Sequence, residues 1–244
     1  MTDPLAVIAQ LPGVPEAVEE ARKAVDRLYR HRVLRRRSPE VSAETALRGA
    51  RASAALSGVD VDLTPLRAGE IDDPTVQGAL RASAEIGRLG STWRTAPRQV
   101  LARLHTVAAH GLAPESSLGR PRQDEALATR LDGLVSLITT GTKTPALVLA
   151  SVVHAELAVL DLFGTADGVV ARAAERLTLV EFGLDPKSLV PSEIGHLSLD
   201  YSAALKSYTT GTPTGVATWL RHCAEAVILG VRETTAICEA MQRG

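Results

Sequence analysis

Apolar residues recur at three- and four-residue intervals along nearly the whole chain. No run of alternating apolar and polar residues is long enough to build a sheet. Residues 15–36 read as a charged amphipathic helix. Ser42 with Thr45 opens a second, which runs to about residue 56, where Ser57-Gly58 stops it. Residues 60–74 carry turn signals and read as a loop. Helices follow over 74–88 and 96–110, then a Gly- and Pro-broken loop over 111–122, then a helix over 124–140. Pro145 suits the first position of the next helix, which runs to about residue 160. A Gly-containing turn at 164–168 leads into a helix over 169–182, which Gly183-Leu184-Asp185-Pro186 ends. Residues 191–209 and 213–242 close the chain. The pattern predicts an all-α fold of nine helices and one domain over 1–244. Residues 1–60 supply its N-terminal helices and 74–242 its core helices.

Composition narrows the chemistry. Aromatic residues make up only 3%, so Ala, Leu and Val must fill the core, and such small side chains favour close helix packing. Twenty-seven basic against 28 acidic residues leave no global field for nucleic acid or a membrane surface. Cys223 and Cys238 stand 15 residues apart in one expected helix. At ~1.5 Å per residue that is about 22 Å, too far for a disulfide. Two free thiols fit a reducing, cytoplasmic setting. The first residues, MTDPLAVIAQLPGVPE, hold Asp3, no basic start and a short Pro-broken apolar run, so no signal peptide is expected. No stretch has the length of a membrane span.

The most informative segment is HAELAVLDLFGTADGVVAR, residues 154–172. It resembles the helix–loop–helix signature of Fic-type (Fido fold) proteins, which reads H-P-F-x-[D/E]-G-N-G-R-x-x-R. Phe163, Gly168 and Arg172 fall where that family has its Phe, second Gly and last Arg. Asp161 stands where the catalytic His would be, Thr165 replaces the metal-binding acid, Ala166 the first Gly, Asp167 the Asn, and Val169 the first Arg. His154 lies seven residues before Asp161, as an upstream His does in Fic proteins. LTLVEFGLDP (177–186), the Tyr201–Leu205, Gly211 and Trp219–His222 positions, and Leu104-His105 match further family segments in order. ARASAALSG (50–58) is similar to the helix that carries the family's inhibitory Glu, with Ser53, Ser57 and Gly58 in the degenerate motif.

The resemblance implies transfer of a nucleoside monophosphate to a protein hydroxyl, and the departures remove its parts. Asp161 is a weak base at pH 7, and losing a general base costs roughly 10² to 10⁴ in rate. Thr165 cannot give Mg²⁺ a charged oxygen, and Val169 deletes a phosphate cation. Between Gly119-Arg120-Pro121-Arg122 and the helix at 124 too few residues remain for the family's β-hairpin flap, which holds target peptides by strand addition. Ser57 occupies the place of the inhibitory Glu, so Arg172 is expected to lack that partner and to turn to Asp161, directly or through an anion or water.

What survives could bind an anion. Gly164, Thr165 and Gly168 sit where backbone N–H groups and a helix dipole converge, and Arg172 and Arg176 share a face. Asp161 and Asp167 oppose this, and Asp167 is expected to cap the second helix. The expectation is therefore a Fic-like pseudoenzyme with a binding or regulatory role. The alternative is a transferase of altered chemistry using Asp161 and Arg172. No cofactor is expected, or at most a Mg-nucleotide. Possible partners are a protein, a second copy or a phosphate-bearing small molecule, and neither nucleic acid nor a membrane is expected. His154 is a candidate ligand residue or a packing residue. The six His show no HxxxH spacing and the Cys no CxxC, so no metal site is expected. Residues 141–144, GTKT, lack the Gly directly before Lys that a P-loop needs, and no GxGxxG follows a strand.

Overall fold

Proline and aspartate punctuate the chain where helices begin. Asp3, Asp73, Asp124 and Asp200 each accept a backbone N–H from the first turn of the helix that follows. Proline occupies the first turn of several. In the computed structural model, which describes residues 3–243, these signals open twelve α-helices. They are α1 Pro4–Ile8, α2 Val14–Tyr29, α3 Leu34–Ala55, α4 Leu63–Ala68, α5 Pro74–Trp93 and α6 Pro97–Ala108, then α7 Glu125–Thr140, α8 Ala146–Leu160, α9 Asp167–Glu181, α10 Ser192–Ser198, α11 Tyr201–Tyr208 and α12 Pro213–Arg243. Residues 1, 2 and 244, at the ends of the expected domain, lie outside the described residues. The described residues hold no strand, so the all-α expectation stands. In place of a flap, residues 118–124 form a short non-helical connection pinned by the Arg122 N–H donating to the Leu162 carbonyl at 2.9 Å.

The three helices beyond nine are α1, α4 and the division of residues 191–209 into α10 and α11, and other bounds shift for identifiable reasons. The expected helix over 15–36 breaks at Arg30–Val33, a turn that lets Leu28, Val33 and Leu34 all be buried. Pro39 cannot donate its N–H, and α3 kinks just before it, at Arg37. The loop expected over 60–74 contains α4, ended by Gly69 in the left-handed region at φ 73°. Helix α5 runs past residue 88 to bury Trp93, whose indole N–H donates to Thr178 Oγ1 at 3.0 Å. Residues 191–209 divide into α10 and α11 because Asp200 starts a new helix.

Helices α8 and α9 are the centre. A six-residue loop joins them and they pack along one another. One apolar cluster, from α3, α5, α6 and α7, lies against Leu149, Val153 and Leu157 of α8 and Val170 and Leu177 of α9. A second, from α2 and α12, lies against Leu147, Val148 and Ala155 of α8 and Leu179 of α9. Covered by both, α8 is apolar around most of its circumference, with Ser151, His154 and Glu156 its polar residues.

The small residues work as the composition implies. A Cβ at Gly78 would stand 2.1 Å from the Ala108 carbonyl oxygen, and one at Gly195 would stand 2.2 Å from that of Ala226. Gly195 thus sets how closely α10 approaches α12. Gly195→Ala is expected to destabilise the protein by about 1–3 kcal/mol through overpacking. Urea denaturation measures this, and an unchanged midpoint would contradict the close approach.

Candidate functional site: a closed loop over a buried polar cluster

The α8–α9 loop reverses the chain with two non-glycine residues in the left-handed region. Asp161 closes α8 at φ 47° and Ala166 precedes α9 at φ 56°. Ala166 thus keeps the backbone shape that a glycine would hold without strain. Phe163 is buried and stacks on His105, ring centroids 4.0 Å apart and planes at 4°. His105 Nδ1 in turn accepts the Gly119 N–H at 2.8 Å, which ties the connection before α7 to the loop.

Asp167 does not cap α9, which corrects the expectation. It is the first residue of that helix, and its side chain turns back into the loop. Its Oδ1 accepts the Phe163 N–H at 2.9 Å, and the Gly164 N–H also supports it. A carboxylate of the chain itself thereby takes loop amides that could otherwise hold a phosphate oxygen. Burial pushes this carboxyl up to about 6, with the neighbouring Asp161 adding to the effect. Asp161 itself is exposed, and its partner is Arg122, Nη2 to Oδ2 3.2 Å. With the two side chains 49% and 57% exposed, that pair adds little to stability.

Arg172 does not meet Asp161. It points to α3 instead and is almost wholly buried. Its Nε donates to Ser53 Oγ at 2.9 Å, and Nη2 donates to the Ser53 carbonyl at 2.8 Å and to Ser57 Oγ at 2.7 Å. Two serines at the end of α3, Ser53 and Ser57, therefore hold the guanidinium with neutral acceptors. Gly58 follows them at φ 93°, past the end of α3. Gly168 makes room on the other side, since a Cβ there would lie 3.1 Å from Arg172 Nη1. Val169 is buried among Ala50, Ala79, Ala82 and Ile86. The space left beside it between α3, α5 and α9 is about 10 Å³, room for roughly one water. Of the candidate ligand residues, Gly164 is exposed and Thr165 half-buried in the loop, whereas Arg176 is buried away from it, donating to Ser188 Oγ at 2.6 Å and lying 3.5 Å from Glu193.

One turn beneath Arg172 lies a group that sequence spacing did not reveal. Glu175 of α9 is fully buried, and its Oε2 takes His154 Nδ1 of α8 at 2.9 Å, His196 Nε2 of α10 at 2.9 Å and Ser192 Oγ at 3.3 Å. The outer nitrogens are also engaged, His154 Nε2 with the Tyr201 hydroxyl at 2.9 Å and His196 Nδ1 with His222 Nε2 at 3.0 Å. Trp219 packs against both inner rings. Burial works against ionising Glu175, but the hydrogen-bonded His196 and His154 outweigh it and hold the carboxyl below its usual range. Burial pushes the His154 imidazole down to about 4, despite Glu175 beside it, and His222 down to about 4 as well, with His196 adding to the effect. His154 was expected to pack beside the loop or to bind a ligand; it is the inner member of this network. The signal is spread over five helices, α8 to α12, which no local motif records.

No protein-family model matches this sequence, and no curated protein matches it either. Solved structures do match in fold. A Fic family protein from Desulfovibrio desulfuricans G20 superposes with a TM-score of 0.72 at 17% identity, covering 91% of this chain and 74% of that one. Fic-1 of C. elegans (residues 134–508) gives 0.71 at 16% identity, covering 93% and 73%. The chain has the Fic, or Fido, fold.

The buried imidazoles predict an acid response. Both are neutral in the folded protein down to about pH 4 but take up protons near 6.5 once unfolded. The unfolded state binds more protons between those values, so stability is full above about pH 6.5 and falls as pH drops towards 4. Asp167, with its raised value, opposes this, since its contribution is lost as pH rises through about 6. Two imidazoles outweigh one carboxyl. The melting temperature should fall from pH 7 to 4.5, more steeply in Asp167→Asn and less steeply in His154→Asn. Parallel profiles for all three proteins would contradict the assignment.

Proposed function

We propose that this chain is a Fic-fold pseudoenzyme, a binding or regulatory protein that no longer transfers nucleotides and acts in the cytoplasm. The observation that carries the reading is the Asp167 carboxylate on the Phe163 N–H, inside the loop where a transferase of this fold would hold phosphate. An anion there would have to displace a negative charge of the protein itself. Three further features support it: a buried Val169 in place of a cation, a half-buried Thr165 in place of an acid, and a last arginine held by its own serines. No helix among the described residues is long and apolar enough to cross a membrane.

The alternative, a transferase using Asp161 and Arg172, needs those two groups at one reacting centre. Asp161 pairs instead with Arg122 at the surface, while Arg172 is committed to α3. At the position that would supply the Mg²⁺-binding acid the chain has Thr165, which gives a metal no charged oxygen.

Incubation with labelled ATP, Mg²⁺ and a cell extract is expected to transfer no label. Asp161→His is expected to transfer none either, because Asp167, Thr165 and Val169 remain. Label transfer by the unaltered protein that disappears in Asp161→Ala would overturn the proposal in favour of the transferase.

A further inference from the structure

We propose that His154, Glu175 and His196 form a buried site for a divalent transition-metal ion of the zinc type. The three donors come from α8, α9 and α10, and their nearest ligand atoms all lie within 4.8 Å of one another. Imidazole and carboxylate donors suit zinc. All three side chains are fully buried, so the donor set is closed to bulk water, as in sites that hold a fold together.

Two observations beyond proximity point to an ion. The first is Glu175 Oε1, a fully buried carboxylate oxygen with no hydrogen-bond partner. Buried acceptors are rarely left without one. An ion bound by both oxygens of Glu175 and by the two imidazoles would have four protein donors, and the orphan would be used. The second is the outer ring of partners. Metal-bound imidazoles almost always direct their other nitrogen to a fixed group. Here Tyr201 and His222 already hold those nitrogens in place.

The proton count closes without releasing any proton. Without an ion, His154 Nδ1–H and His196 Nε2–H donate to Glu175, and the outer nitrogens accept from the Tyr201 O–H and the His222 Nε2–H. When the ion binds, His154 carries its proton on Nε2 and donates to the Tyr201 oxygen. His196 carries its proton on Nδ1 and donates to His222 Nε2, and the His222 proton moves from Nε2 to Nδ1. The donors must also spread. The two N···O separations are 2.9 Å, whereas adjacent ligands about zinc stand about 3.3 Å apart for bonds near 2.0–2.1 Å. The widest donor separation, up to 4.8 Å, must close towards the same figure, so side chains move by about an ångström. Arg172 and Arg176 on the same helix balance Glu175 and Glu193 before any ion enters. The added charge therefore makes this a weaker site than a thiolate one, and zinc should be supplied at micromolar levels.

The test uses the full chain, produced with zinc and dialysed against buffer stripped of other metals and supplied with micromolar zinc. Inductively coupled plasma mass spectrometry is expected to find about one zinc per chain, and chelation should lower the melting temperature by several degrees, reversed by added zinc. Glu175→Gln keeps the side-chain shape and a carbonyl that can accept both imidazole N–H groups. It should retain its helical circular dichroism and lose at least about ten-fold in zinc occupancy. Zinc below about a tenth of an equivalent in the unaltered protein, with no thermal shift on adding it, would overturn the proposal. So would zinc that persists unchanged in a folded Glu175→Gln. If that variant does not fold, occupancy and the thermal shift of the unaltered chain decide.

Discussion

A helix enclosed on all sides carries three charged side chains in the dry centre of this protein. Arg172, Glu175 and Arg176 of α9 are each at most 2% exposed. An isolated buried charge is costly, so each must be met by groups from elsewhere. Arg172 is met by Ser53 and Ser57 at the end of α3, Glu175 by His154 of α8 with Ser192 and His196 of α10, and Arg176 by Ser188 and Glu193 around the start of α10. Tyr201 of α11 and His222 of α12 add the next layer. Apolar packing gives these helices their burial but is tolerant of angle and register. Directional polar contacts on α9 restrict both, so the helices from α8 to α12 and the end of α3 are fixed around one element.

The same constraint explains why the loop above α9 is shut. The Arg172 guanidinium is committed to the serines one level down, and Gly168 leaves space for it to lie that way. The loop amides turn to Asp167, and the carboxylate of Asp161 faces the surface and Arg122. The Phe163 amide, Arg172 and Asp161 are engaged within the protein, so a phosphate drawing on them would have to break contacts already made.

Much of the fold was legible. Helices α5 to α9 and α12 follow from apolar spacing and from Pro and Asp signals, and the motif at 154–172 led to the Fic fold. The α2–α3 break was hidden because neither Gly nor Pro marks it; burial of Val33 and Leu34 decides it. Helix α4 is only six residues long and too short to show periodicity. At the site, the sequence did not show where the side chains turn. Ser57 was read as the loss of a partner for Arg172, yet a hydroxyl at 2.7 Å serves as a neutral one. Asp167 was read as a cap on the following helix, whereas it holds the preceding loop. The Glu175 cluster draws on residues 154, 175, 196, 201 and 222, and only the packing of α8 to α12 makes them neighbours.

Self-occupation of the phosphate loop is the claim on which the functional reading turns. Isothermal titration calorimetry of the unaltered protein with ATP and Mg²⁺ tests it most directly. Closure predicts no saturable heat at millimolar nucleotide, and the same silence with inorganic phosphate. A one-to-one isotherm that weakens when Arg172 is replaced by Met would mean the loop opens and Arg172 leaves its serines, and would contradict the closed site.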